Sequence, residues 1–268
     1  MMNQTTAGGP ATMSPPATSP DDLGIDRAFL MQMARVPVIA LVWVLAAFLA
    51  YQTWAAVAPG TPNYATLVVL CFGMVLAAVI DGWAFKVPNW LTLSLVLSGW
   101  LLGLLHQLGV AVDVPPAAVG EAGGLGSALL CTAIGFFLLF PLLAIIGMGQ
   151  GDVKMLMGFG SWVGAFFGGQ TAALILVWAF CLGAVVGGLC GLVMIVIRRK
   201  FRKNASNFKE IFTDLKVLAT VGPAAAAARS QARRPAWDRL PYGIPLCVGF
   251  LGYLAYRYAE GTLPVLGQ

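Results

Sequence analysis

The chain reads as an all-α protein, a polytopic membrane helical bundle of about seven transmembrane helices, and three observations carry that reading. Of its 268 residues, 59% are hydrophobic and only 10% charged, and the mean hydropathy of +0.83 lies outside the range of ordinary soluble domains. Long apolar runs, most near the roughly 20 residues that cross a bilayer as a helix, recur along the chain. The Lys and Arg residues cluster between these runs, and the intervening loops on one side hold none. A formal net charge of +5 is thereby explained by membrane orientation, and no nucleic-acid partner is expected.

Taken in order, residues 1–30 are rich in Pro, Ser, Thr and Gly with few large apolar side chains, which predicts a disordered N-terminal tail. Residues 31–63 supply an extra N-terminal transmembrane helix and an outer loop. The apolar run of that helix, Val36 to Ala58, ends in Ala56-Val57-Ala58, which imitates a signal-peptide cleavage site. Its length suits a span, and Pro59 directly after the small residues argues for an uncleaved helix. Further spans are predicted at Tyr64 to Trp83, Trp90 to Val110, Ser127 to Ile146, Val153 to Phe167, Thr171 to Ile197 and Tyr242 to Tyr258. Pro88 and Asn89 start the third helix. Gly183, Gly187 and Gly191 recur on one helix face, as close helix packing requires.

These spans form a membrane domain over 64–258, interrupted by a basic insertion at 198–240 and followed by a C-terminal tail at 259–268. Within the insertion, Phe208, Ile211, Phe212 and Leu215 fall at i, i+3, i+4 and i+7, and Asn207 precedes Glu210 at capping-box spacing. A short amphipathic helix resting on membrane lipids of the inner leaflet is expected there. With a cytoplasmic N-terminus, Arg27, Arg35, Lys86, Lys154 and the basic residues from Arg198 to Arg239 all lie inside, leaving only Arg257 of the sixteen outside.

The five cysteines fall inside apolar runs without a CxxC pair, and His106 has no metal-type partner at helical spacing, so no metal or cofactor is expected. Of the eleven acidic residues, only Asp81 and Asp152 end apolar runs. In the orientation above both face the cytoplasmic side and can meet. The run after Asp152 has fifteen residues before Gly168-Gly169, about 22 Å of helix against a core of about 30 Å, which would draw Asp152 below the interface. Gly147, Gly149 and Gly151 would let the backbone bend and a second extended backbone approach. Two adjacent carboxylates do not both ionise easily, so one polarises an amide carbonyl while the other takes a proton from water. Peptide hydrolysis by an aspartyl mechanism is thus a physical option. The structural alternatives are a helix-end Asp81 paired with Lys86 and a turn Asp152 paired with Lys154.

The stretch DGWAFKVPN, with Asp81, Pro88 and Asn89, and the stretch GQGDVK, with Gly149, Gly151, Asp152 and Lys154, together resemble the type IV prepilin peptidase family of GxGD aspartyl proteases. RLPYGIPLCVG, from Arg239 to Gly249, is similar to that family's last helix. The resemblance covers about residues 64–258 and implies that Asp81 and Asp152 are the catalytic pair of a membrane endopeptidase. It also implies the substrate, a prepilin or pseudopilin precursor whose basic leader is removed at the cytoplasmic face of the inner membrane. Larger members carry two CxxC pairs that accompany methylation. Nothing here matches those pairs, so the chain resembles the shorter, peptidase-only members, and methyltransferase activity is not expected. Lys86 and Lys154 read as basic residues marking the cytoplasmic boundary, the alternative being that they hold a carboxylate ionised.

A proton- or cation-coupled transporter is the rival from another class, because paired intramembrane acids beside broken helices are also its signature. Such transporters place their sites near the midplane between related halves. Here both acids lie toward one face, and the sequence shows no internal repeat. Neither reading sets an oligomeric state.

Overall fold

A computed structural model describes residues 27–61, 63–84, 87–110, 123–146, 149–198 and 242–261, with 213, 216, 217, 220 and 222 between the last two segments. It is an all-α bundle. Its helices are α1 (Arg27–Val57), α2 (Ala65–Ala84), α3 (Asn89–Gln107), α4 (Leu125–Ile146), α5 (Gln150–Phe167), α6 (Gly169–Arg198) and α7 (Gly243–Ala259). Four stretches, Met33–Val57, Ala65–Ala84, Asn89–Gln107 and Gly169–Met194, are long and apolar enough to cross a membrane, and α4 carries the shorter apolar stretch Leu125–Pro141.

The bundle is organised around α5. From Gly158 to Phe167 every residue of this helix is buried, and α4 and α3 form its main walls. Such intimacy depends on small residues. A Cβ at Gly158 would stand 3.1 Å from the Leu95 Cβ of α3, and one at Gly160 or Gly164 would run into the carbonyl oxygens of Cys131 or Ser127 on α4. Surrounded by protein, α5 has no need of an apolar exterior, and it carries polar groups that find partners. The Trp162 Nε1–H donates to the Leu95 carbonyl at 3.0 Å and to Ser98 Oγ at 2.9 Å, while the Ser161 hydroxyl donates to the Gly158 carbonyl at 2.7 Å.

The outer helices show one face to the core and the other outward. In α1 the buried positions Val36, Ala40, Trp43 and Ala47 follow helical spacing, whereas Val38, Leu41, Val42, Leu45 and Leu49 are exposed apolar side chains suited to lipid. In α2, Leu67, Leu70, Met74, Ala77 and Ala78 form the buried stripe, and Asp81 continues it at the helix end. The sequence pattern thus carries a carboxylate inward.

Several boundaries differ from the sequence expectation for identifiable reasons. Helix α1 begins at Arg27, inside the segment read as tail, and contains Pro37, whose missing N–H a membrane helix tolerates when neighbours compensate. Helix α5 begins at Gln150 instead of Val153, because its first turn is polar and leaves no apolar signal. Asp152 therefore lies within the helix, not ahead of it. After α5, Gly168 at φ 75° makes the one-residue turn into α6, a backbone conformation that favours glycine. Of the three spaced glycines of α6, Gly183 packs closely on Leu246 of α7 and Gly187 on Tyr242 just ahead of it, but a Cβ at Gly191 would meet nothing within 4 Å among the described residues. Lys86, Gly147 and the expected amphipathic helix around Phe208, Ile211, Phe212 and Leu215 lie outside the described residues.

Candidate active site

Asp81 and Asp152 come together at one end of the bundle, where the C-terminal end of α2 meets the N-terminal ends of α5 and α7. The opposite end of α2 and α7 is marked by the edge-to-face rings of Tyr64 and Tyr258, 5.4 Å apart. Both acids are buried, with 6% and 5% of their surfaces exposed, and their carboxylates lie within electrostatic reach of each other. Burying two acids side by side is costly unless their oxygens are partnered or used.

Each carboxylate is held by the start of a helix. Gly243, the first residue of α7, donates its N–H to Asp81 Oδ2 at 2.9 Å across 162 residues of sequence. A Cβ at Gly243 would stand only 2.8 Å from that oxygen, so no other residue fits without moving Asp81. Asp152 occupies the third position of α5, whose N-cap is Gly149, and its side chain turns back to accept the Gly149 N–H. This is the geometry of the acidic half of a capping box. It leaves Asp152 Oδ1 buried and, among the described residues, without a hydrogen-bond partner. A buried, unpartnered carboxylate oxygen beside a second carboxylate is positioned to accept a proton or to hold a water molecule.

The neighbouring sequence-predicted residues serve that geometry in different ways. Gly149 has ordinary extended angles, φ −65° and ψ 137°, so it is not needed for bending; a Cβ there would lie 3.0 Å from Asp152 Oδ2. Gly151 fits the expected close approach of another backbone, because a Cβ would lie 3.1 Å from the Val87 Cβ and 3.3 Å from its backbone nitrogen. Pro88 caps α3 with φ −71° and ψ 140°, and Asn89 is the helix's first residue. Lys154 donates its Nζ–H to Asn89 Oδ1 at 2.8 Å and makes no ion pair with either acid. It ties α5 to α3 instead of neutralising a carboxylate.

Two residues of this site carried no role in the sequence reading. Gly243 and Tyr242 sit in the stretch RLPYGIPLCVG, which stood out only for its similarity to a family helix and assigned neither residue a role. Tyr242 lies within electrostatic reach of Asp152. Among the described residues no group of three or more His, Cys, Asp or Glu is gathered as a metal site would require.

Fold and site together define a helical membrane protein with a buried aspartate pair at one end of the bundle. Residues 68–188, which contain both aspartates, match the type IV leader peptidase family. It is 31% identical over 168 residues to a prepilin leader peptidase/N-methyltransferase of Aeromonas salmonicida, and 30% identical over 174 residues to a protein of the same description from Aeromonas hydrophila. Each match covers 62% of this chain and 50% of the relative, so the chain spans about half the length of these curated relatives. No solved structure matches it.

Proposed function

We propose that this protein is a membrane aspartyl endopeptidase that removes the basic leader from a type IV prepilin or pseudopilin precursor at the cytoplasmic face of the inner membrane, with Asp81 and Asp152 as the catalytic pair. The observation that carries the reading is the convergence of two buried aspartates, one with an unpartnered oxygen, inside the segment that matches the leader peptidase family. Water held between the carboxylates loses a proton to one of them as it attacks the scissile carbonyl. The other, bearing a proton, donates it toward the carbonyl oxygen, and the acid that took the water's proton then delivers it to the leaving amine. The Gly243 N–H fixes the direction of Asp81 throughout, leaving its second oxygen to do the chemistry.

In this reading residues 31–63 add a helix in front of the peptidase domain, and the insertion at 198–240 lies on the inner leaflet. Lys154, Asn89 and Pro88 hold the α3 and α5 ends in register, while Gly149 and Gly151 keep space around Asp152. Methyl transfer is not proposed for the matched region. The test is to incubate the purified, lipid-reconstituted protein with a leader-bearing precursor and read the products by mass spectrometry. A single cut after the basic leader is expected. An intact precursor, together with acid-dependent proton flux across the vesicle, would instead favour a transporter.

A further inference from the structure

Tyr242 is the N-cap of α7 and directly precedes Gly243, whose N–H holds Asp81 Oδ2 at 2.9 Å. Its carbonyl accepts the Leu246 N–H at 3.1 Å, so its backbone is fixed with the helix start that fixes Asp81. The half-buried side chain lies against Gly187 of α6, where a Cβ would stand 3.3 Å from both the phenol Cζ and the hydroxyl oxygen. A glycine at that position makes room for the polar end of the ring. The two helices are pinned further along by a second small pair, since a Cβ at Gly249 would run into the Gly183 backbone. The hydroxyl is therefore carried by a seated ring on a fixed backbone, as a preorganised donor must be.

That hydroxyl lies within electrostatic reach of Asp152, yet Asp152 Oδ1 has no hydrogen-bond partner among the described residues. The phenol and the buried carboxylate oxygen are thus neighbours that do not bond to each other. A donor and an acceptor held in this way leave a place for a reacting group between them. We propose that Tyr242 is a third catalytic residue of the site, its hydroxyl donating a hydrogen bond to the scissile carbonyl oxygen as negative charge develops there. The proposal rests on the peptidase reading and adds a group that the aspartate pair alone does not supply. The phenol keeps its proton throughout, so the proton transfers remain those of Asp81 and Asp152. Its effect is on the barrier, because a fixed donor stabilises the charged oxygen of the transition state more than the neutral carbonyl of the substrate. Packing against Gly187 would be served equally by phenylalanine, which offers no such donor.

The test compares wild type with Tyr242→Phe, each as the full chain reconstituted in vesicles with a leader-bearing precursor. The ring is retained, so helical circular dichroism and the midpoint of thermal unfolding in detergent should match wild type. At least a tenfold fall in kcat is expected, with KM within about twofold, because the lost bond is made in the transition state and not in the bound substrate. A second variant carries 3-fluorotyrosine in place of Tyr242, which makes the hydroxyl more acidic with little change in shape. Its kcat should differ from wild type at least twofold with KM unmoved, a response that a packing role would not give. A Tyr242→Phe kcat within twofold of wild type, a loss confined to KM, or an unchanged kcat with 3-fluorotyrosine would each overturn the proposal. If wild-type protein cleaves while any of these holds, Tyr242 only packs and the peptidase reading stands. If wild-type protein leaves the precursor uncut, the peptidase reading itself fails and takes the proposal with it.

Discussion

At the scale of single residues, the two acids were legible in the sequence because an aspartate that ends an apolar run is costly and therefore conspicuous. What held them was not. The Gly243 N–H reaches Asp81 across 162 positions, and Lys154 turns to Asn89 across 65, contacts through space that no local spacing records. Gly149 was expected to bend the chain and instead makes room for a side chain three residues on. The contact at Gly243 yields a prediction. Gly243→Ala places a methyl group against the Asp81 carboxylate, and turning that carboxylate aside should cut leader cleavage at least tenfold, or about 1.4 kcal/mol of barrier. Helical circular dichroism and yield should match the wild type, because alanine suits a helix start. Cleavage within twofold of wild type would show that the orientation of Asp81 does not matter. Lys154→Met should cost about 1.5–3 kcal/mol of stability through the lost charged hydrogen bond, read as a lower midpoint of thermal unfolding in detergent, and Lys154→Gln should recover part of it.

Among the helices, existence and order followed from hydropathy, while the role of α5 did not. Apolar runs announce lipid-facing helices most loudly, so α1 and α6 are plain in the sequence and the central helix, with four glycines and an aspartate and a lysine in its first turns, is faint. The glycine series of α6 drew attention by its regular spacing. Gly158, Gly160 and Gly164 of α5 are the more tightly enclosed. The two kinds of position separate cleanly by experiment. Gly164→Leu must push Ser127 and Cys131 of α4 aside and should destabilise by about 3 kcal/mol or more. Gly191→Leu enters open space and should stay within about 0.5 kcal/mol of wild type. Comparable losses in both variants, measured by unfolding in a mild detergent, would contradict the placement of α5 at the centre.

For the whole molecule, the orientation proposed from the Lys and Arg distribution is compatible with the bundle geometry. In the proposed orientation charge would put the ends of α2 and α5 that carry the acids on one side of the membrane, and the packing of α2, α5 and α7 brings those ends together. Cysteines engineered at Val114 or Gly120 should therefore react with an impermeant reagent from outside, and cysteines at Lys203 or Lys86 should not. External labelling at Lys203 would invert the protein and separate the acids from a cytoplasmic leader. The measurement that bears most directly on the central claim is the cleavage rate of reconstituted Asp152→Asn, with Asp81→Asn beside it, toward a precursor that both variants are shown to bind. An amide is close in size to the carboxylate and removes a buried charge, so both proteins should insert and fold. Each should retain well under a tenth of wild-type cleavage, since one carboxylate does not supply both the base and the acid. Cleavage by Asp152→Asn at more than about a tenth of the wild-type rate, a barrier change below about 1.4 kcal/mol, would contradict the aspartyl mechanism.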